Sequence, residues 1–130
     1  MSDPLSFDMP LRAHVGKLRV HQVAVAVAVE AAKFARCFRG PGASQRADQL
    51  VRATLSVPSN IAEACGRGTL GEFRQFLLYA RGSAQEALSH LAVARALEPQ
   101  HQATIRRLES RCVLIIKSMR RLMNNPPKQQ

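Results

Sequence analysis

SVPSNIAEACGRGTLGEFRQFLLYARGSAQE, residues 56–86, is the stretch that decides the fold of this chain. It holds a proline inside a helical pattern, Pro58, then a glycine-rich turn over residues 66–68, then a helix start. Thr69 and Glu72 are spaced as in a capping box, where the threonine caps the helix and the glutamate reaches back. The stretch therefore predicts two helices joined by a short turn, and a connection this short requires antiparallel neighbours.

The two helices of this stretch extend outward in both directions. The second helix of the chain is expected to run from an N-cap at Ser44 to about Cys65, after the break at Arg39-Gly40-Pro41-Gly42. We expect a kink at Pro58, because proline lacks an N–H and its ring crowds the carbonyl of Thr54. Thr54, Ser59 and Asn60 can offer local hydrogen bonds to the backbone groups that the proline frees. The third helix continues to about Leu97 and ends before Pro99.

A first and a fourth helix flank this pair. Residues 23–29 alternate valine and alanine as a strand would, but alanine favours helix and apolar residues recur at intervals of three and four. The first helix is predicted from Leu18 to Phe38, and the fourth from Ala103 to Met123. In the first helix the residues that recur at three and four are Leu18, His21, Val25, Ala28, Ala32, Ala35 and Phe38, and we expect a helix that is buried on most of its sides. The apolar stripe of the fourth is Ile105, Leu108, Cys112, Ile115, Ile116, Met119 and Leu122.

The whole chain is predicted to be an all-α, antiparallel up-down-up-down four-helix bundle. Its 130 residues, 46% of them hydrophobic, suffice for one domain with a real core. We expect residues 1–13 to form a flexible N-terminal arm, residues 14–123 the bundle, and residues 124–130 a disordered tail.

The order of residues within 56–86 carries a family resemblance. The residues concerned are Ser56, Pro58, Ser59, Asn60, Ile61, Ala62, Glu63, Arg67, Glu72, Phe73, Phe76, Leu77, Ala80, Gly82, Ser83 and Glu86. They resemble the four-helix bundle family that includes proteins encoded by intervening sequences in bacterial large-subunit ribosomal RNA genes and the accessory protein of diversity-generating retroelements. Ala64 stands where that family usually has glycine. The resemblance implies a ring-shaped homopentamer.

Eight of these residues are assigned a structural role in the bundle: Ser56, Pro58, Asn60, Glu63, Arg67, Phe73, Gly82 and Glu86. Gly82, in the middle of the third helix, is expected to let another helix approach closely, or to allow a bend. An enzymatic interpretation would instead pair Glu63 with Glu86 for acid/base work or metal binding. The Glu-x-x-His motif of bundle metal sites is absent, so we expect these carboxylates to pair with Arg67 or Arg81. No catalytic residue, metal ligand or cofactor is predicted.

The charge of the chain points to a polyanionic partner. The net charge is +10, from 19 Lys and Arg against 9 Asp and Glu. The fourth helix carries one acid, Glu109, against six candidate nucleic-acid-binding residues: Arg106, Arg107, Arg111, Lys117, Arg120 and Arg121. At 100° per residue, four of the cations fall opposite the apolar stripe and form a basic ridge suited to phosphates: Arg106, Arg107, Lys117 and Arg121. The alternative is that they are ordinary solvated cations, which helix C-termini favour in any case.

The compartment expected for the chain is the cytoplasm, with no membrane contact. Cys37, Cys65 and Cys112 are odd in number and lack metal spacing, as expected for core residues in a reducing environment. No stretch reaches the length of a membrane span, and the apolar run after Lys17 and Arg19 is too short for a signal peptide.

Two functions fit these observations. The first is a non-enzymatic, homo-oligomeric bundle that binds nucleic acid, with structured RNA as the preferred ligand, through the fourth helix. The second is a protein-interaction accessory module that docks on a partner enzyme such as a reverse transcriptase, as the retroelement resemblance suggests. Surplus apolar surface, including Leu78 and Tyr79, favours self-association in the first case.

Overall fold

The computed structural model describes residues 18–126, and these form four α-helices. The bounds are α1 Arg19–Ala35, α2 Ala43–Cys65, α3 Leu70–Leu97 and α4 Gln102–Asn124, with a single turn of 3₁₀ helix, Pro99–His101, before α4. The all-α prediction is confirmed over this range, and the helix bounds agree with the sequence to within a few residues. The expected arm, residues 1–13, and residues 127–130 of the expected tail lie outside the described range.

The four helices pack as a ring around one core. Each packs against its neighbour in sequence, α1 also packs against α4, and the most extensive interface joins α2 to α3. The start of α3 meets the end of α4 where Arg74 Nε donates to the carbonyl of Met123 at 3.0 Å. That successive helices run in opposite directions stays a prediction. Antiparallel packing of α3 and α4 would bring the start of α3 beside the end of α4, as this contact does.

The core is built from small and medium side chains. Its largest members with almost no exposure are Phe73, Leu50, Ile61, Leu77, Leu91, Ile105, Leu108, Ile115 and Met119. Alanines at the centres of α1 and α3 complete it, for example Ala24, Ala31, Ala80 and Ala84. Burial of this apolar area is the main favourable term in the stability of the bundle.

The burial of α1 differs from the sequence prediction. Val25 is 41% exposed, and the side chains buried in the core are Val20, Ala24, Val27, Ala28, Ala31, Phe34 and Ala35. The expectation of a helix buried on most of its sides was wrong, since Val25 and Val29 are exposed. Residues 23–29 are all apolar, so no polar side chain in the sequence marks the outer side of the helix. The core instead follows the positions that α2 and α4 cover.

The start of α2 also differs from the prediction. Gly42 occupies the N-cap position with φ +65°, and Ser44 makes no capping bond. Gly40 has φ +82°, so both glycines adopt the left-handed conformation that other residues rarely take. The loop thus reaches its helix start two residues earlier than a serine cap predicts.

Pro58 lies inside α2, which continues through it as one helix. Thr54 Oγ1 donates to the carbonyl of Leu50 at 2.9 Å, and Asn60 Nδ2 donates to the carbonyl of Ser56 at 2.8 Å. Thr54 and Asn60 were expected to bond the backbone groups that Pro58 frees. The carbonyl left without its helical N–H is that of Thr54, and neither of these two bonds reaches it, so the expectation was wrong for these residues.

The cap of α3 is the predicted one. Thr69 Oγ1 accepts from the backbone N–H of Glu72 at 3.1 Å, and its hydroxyl is 3.1 Å from Glu72 Oε1, to which it donates. The glutamate thus reaches back to the threonine hydroxyl. This cap satisfies one of the N–H groups that a helix start leaves without a partner.

Candidate nucleic-acid interface

The helix α4 has a buried apolar side and a strongly basic polar side. The buried side consists of Ile105, Leu108, Cys112, Ile115 and Met119, as the sequence predicted for these five. Ile116 and Leu122, also predicted to face the core, are partly buried and pack against it. All six predicted nucleic-acid-binding residues lie outside the core, and Arg111 is the most covered of them.

The structure divides these six cations into two groups, and Glu30 of α1 marks the division. Arg107 Nε donates to Glu30 Oε2 at 2.7 Å, a second guanidinium nitrogen of Arg107 contacts the same oxygen, and Arg111 Nη1 lies 3.3 Å from Glu30 Oε1. The hydrogen bond to Glu30 and its charge raise the pKa of Arg107. The Glu30 carboxylate therefore already pairs with Arg107 and Arg111, two of the six residues predicted to bind phosphate.

The other four cations of α4 are exposed: Arg106, Lys117, Arg120 and Arg121. No acidic side chain pairs with any of them within residues 18–126. Lys117, Arg120 and Arg121 fall within about one turn of helix, so their charges are close together. Uncompensated cations at this density attract phosphate groups.

Two arginines of α3, Arg74 and Arg81, extend this group of cations across the interface between α3 and α4. Arg74 lies beside the end of α4 through its bond to Met123, and Arg95 is paired with Glu109 near the other end of the same interface. Arg81 lies between them, two turns from Arg74 on the same side of α3. We call the set Arg74, Arg81, Arg106, Lys117, Arg120 and Arg121 the basic surface.

The α3 members of the basic surface were not found by sequence reasoning, which treated each helix singly. Their signal is present, because Arg74, Arg81 and Arg95 are separated by multiples of seven residues and so share a helix face. The pattern of a single helix does not show which neighbouring helix its arginine face will lie beside. That depends on how α3 packs against α4.

The motif residues of α2 and α3 form a polar seam between these helices. Ser83 Oγ donates to Ser56 Oγ at 2.8 Å, and Asn60 Nδ2 donates to the same hydroxyl at 2.9 Å. The Ser83–Ser56 bond links α3 to α2, the Asn60–Ser56 bond lies within α2, and both satisfy partly buried polar groups. Phe73, near the start of α3, is buried in the core.

The two motif carboxylates have separate partners. Glu63 Oε2 accepts from Arg67 Nη2 at 2.6 Å, and the guanidinium of Arg67 lies 4.4 Å from the centre of the Phe76 ring. Glu86 lies 3.5 Å from His90, so its expected pairing with Arg67 or Arg81 was wrong. Both carboxylates are more than half exposed, and residues 18–126 contain no group of three His, Cys, Asp or Glu placed to hold a metal ion.

Gly82 does not have the expected packing role within this chain. It is exposed, and a Cβ built on it would meet no heavy atom within 4 Å. The expected close approach of another helix is therefore not made by any described part of the chain. A glycine at this position costs about 1 kcal/mol of helix stability relative to alanine, with no compensating contact among residues 18–126.

A buried acid that the sequence did not reveal lies directly after the C-terminal end of α3. The side chain of Glu98 is 0% exposed. Its oxygens accept from the backbone N–H of Arg39 at 3.0 Å, from Arg46 Nη2 at 3.1 Å and from Gln100 Nε2 at 3.3 Å. Burial raises the pKa of this carboxyl, but the hydrogen bonds from Arg39 and Arg46 and the charges of Arg46 and His101 outweigh burial and lower it overall.

The cysteines are all free thiols. Cys37 is exposed, so its expected place in the core was wrong. Burial raises the pKa of Cys65 and of Cys112 to about 11, with the charge of Glu109 adding to the effect at Cys112. The two buried thiols stay protonated at neutral pH and are poor nucleophiles. Among residues 18–126, no helix has the length and apolar character required to cross a membrane.

Comparison with known proteins agrees with the resemblance drawn from residues 56–86. A comparison with curated proteins gives no match. The sequence profile of the family described as 23S rRNA-intervening sequence protein matches residues 16–121, which cover all four helices except the last turn of α4. The chain therefore belongs to the 23S rRNA-intervening sequence protein family.

Proposed function

We propose that this chain is a non-enzymatic, homo-oligomeric helical bundle that binds structured RNA through the basic surface. The observation that carries the proposal is the set of exposed α4 cations, Arg106, Lys117, Arg120 and Arg121, which no described acid neutralises. A helix face of this kind neutralises phosphates and contributes affinity without reading sequence.

RNA is the preferred polyanion for two reasons. The family description refers to 23S rRNA. The basic surface is also a broad strip along two helices, since Arg106 and Arg121 are separated by about 22 Å along α4. Helical RNA is recognised mainly by its shape and by its sugar-phosphate backbone, which such a strip can follow.

Self-association is part of the proposal because one copy offers few phosphate contacts. Several large apolar side chains are exposed on the single chain, among them Val25, Val29, Leu78, Tyr79 and Val93. Exposed apolar surface of this extent is typical of protein interfaces. A ring, a pentamer as the resemblance implies, would repeat the basic surface and raise affinity through multivalency. The free thiols suit a reducing cytoplasm, where we place the protein.

The proposal is tested by binding of a fluorescent RNA hairpin at several salt concentrations. Replacing Arg106, Lys117, Arg120 and Arg121 with Gln removes up to four phosphate contacts. The slope of log affinity against log salt should then fall by about 3. An unchanged slope and affinity contradict the proposal. Co-purification of a partner enzyme that survives nuclease treatment, with no hairpin binding, would favour the accessory-module function in its place.

A further inference from the structure

Gly82 is a motif residue that no packing contact among residues 18–126 explains. It lies in the middle of α3, where glycine is unfavourable, and a side chain added there would enter open space. The space that a side chain would fill is therefore open to a contact from outside the described chain. The absence of a side chain at Gly82 allows another backbone to come close.

The surface around Gly82 combines exposed apolar side chains with the uncharged polar Gln75, Gln85 and Ser89, and it carries little charge. Leu78 and Tyr79, one turn before it, are 39% and 50% exposed, and Val93, three turns after it, is 47% exposed. Glu86, one turn after Gly82, is the acid in this face of α3. Helical spacing puts these residues on the outer side of α3, away from the core.

The outer side of α1 has the complementary character. Val25 and Val29 are 41% and 49% exposed, and Ala26 between them is exposed as well. These side chains are short, so a second helix can approach the backbone of α1 closely. Lys33 and Arg36 continue the same face, both are exposed, and neither has an acidic partner within residues 18–126. Glu30, the acid of α1, is turned toward Arg107 and Arg111.

The two faces lie on different helices that do not pack against each other. In the ring of helices, α1 contacts α2 and α4, and α3 contacts α2 and α4. The outer faces of α1 and α3 therefore cannot cover one another within a single chain. Each can be covered by the other face of a neighbouring copy, and that arrangement is head-to-tail, as in a ring.

We propose that the outer face of α3, centred on Gly82, is the docking site for the outer face of α1 of a second copy of this chain. Val25, Ala26 and Val29 of one copy pack over Gly82, Leu78 and Tyr79 of the next. Lys33 or Arg36 then faces Glu86 across the contact. This inference rests on the proposed self-association and names the surfaces that perform it.

The test is the mass in solution of the full-length protein and of single variants, measured by sedimentation velocity. Gly82→Leu should reduce the assembly to monomers at concentrations where the wild type is assembled, because the leucine occupies the approach of α1. Ala103→Leu, which adds the same side chain at an exposed position of α4, should keep the wild-type mass. Circular dichroism should show both variants folded, since neither position contacts the core.

Mixing two blocked variants distinguishes head-to-tail contact from a symmetric dimer. Gly82→Leu keeps an intact α1 face, and Val29→Asp keeps an intact α3 face. Each alone should be monomeric, and the mixture should give a 1:1 complex that grows no further. Restored assembly on combining Glu86→Lys with both Lys33→Glu and Arg36→Glu would add support.

Two results would overturn the inference, and they differ in what else they remove. Wild-type mass for Gly82→Leu rejects this surface but leaves self-association standing. A monomeric wild type at high concentration rejects both this surface and the oligomer. Binding of the RNA hairpin by the Gly82→Leu variant is measured in parallel. If the variant binds the hairpin, the RNA proposal stands whatever its mass in solution shows.

Discussion

Arg46 Nη2 and Glu98 Oε2 form an ion pair at 3.1 Å in which the Glu98 side chain has no solvent exposure. The same guanidinium donates to the carbonyls of Arg39 at 2.7 Å and Pro41 at 2.8 Å, and it lies 5.1 Å from the centre of the Phe38 ring. The end of α3 is thereby joined to the loop between α1 and α2. This pair closes one end of the bundle.

Replacing Glu98 with Gln should lower the free energy of unfolding by about 3 kcal/mol, because it leaves the Arg46 guanidinium without its carboxylate in a mostly buried place. Urea denaturation measures the change. Asp48→Asn, at an exposed acid of α2, is the control and should change stability by less than about 0.5 kcal/mol. Equal stability of the two variants would show that the pair contributes little.

The same pair makes stability sensitive to acid. The pKa of Glu98 is lower in the folded chain than its ordinary value of 4.5, so the unfolded chain binds the proton more readily. The stabilisation is therefore fully present above that value and is lost as the pH falls through the lower, folded pKa. The difference in unfolding free energy between wild type and Glu98→Gln should be constant from pH 7 to pH 5 and shrink below pH 4.5. A difference that grows on acidification would contradict this account.

A third prediction concerns helix capping. Thr69 caps α3 through its side chain, whereas Ser44, the predicted cap of α2, does not cap that helix. Thr69→Ala removes the bond to the Glu72 N–H and should cost about 1 kcal/mol. Ser44→Ala should cost only a few tenths of that, since Ser44 makes no capping bond. Thermal or urea unfolding of the two variants decides the matter. A larger loss for Ser44→Ala would mean that α2 starts at Ser44 after all.

Glu30 restrains two arginines of the predicted RNA site, and its removal should release them. Glu30→Gln frees Arg107 and Arg111 for phosphate and should tighten binding of the RNA hairpin by about two- to threefold at fixed salt. Asp48→Asn gives the same change in net charge away from α4 and serves as the control. If both variants gain equally, the gain reflects total charge, and the role assigned to Glu30 is wrong.

The fold could be predicted from the sequence because its decisive signals are local. Pro58 inside a helical pattern, the cap at Thr69 and the glycines at 40 and 42 set the order and length of the helices. The rotation of α1 could not be predicted, since Val25 and Val27 are chemically alike and only the neighbouring helices decide which is buried.

The candidate site was only partly accessible for the same reason. The cations of α4 follow from one helix pattern, whereas the pairing of Glu30 with Arg107 and the placement of Arg81 beside α4 depend on contacts between distant parts of the chain. Glu98 has no periodic signal at all. Its burial depends on a loop 59 residues earlier in the chain, which supplies the Arg39 N–H.

The most direct test of the RNA proposal compares two double variants that remove equal charge. Arg120→Gln with Arg121→Gln changes the basic surface, and Arg39→Gln with Arg52→Gln changes exposed arginines of the α1–α2 loop and of α2. Each dissociation constant for the RNA hairpin is measured at one salt concentration by fluorescence anisotropy. We predict a loss of at least tenfold for the first variant and less than threefold for the second, since direct phosphate contacts are lost only in the first. Equal losses would show that net charge, and not the basic surface, holds the RNA.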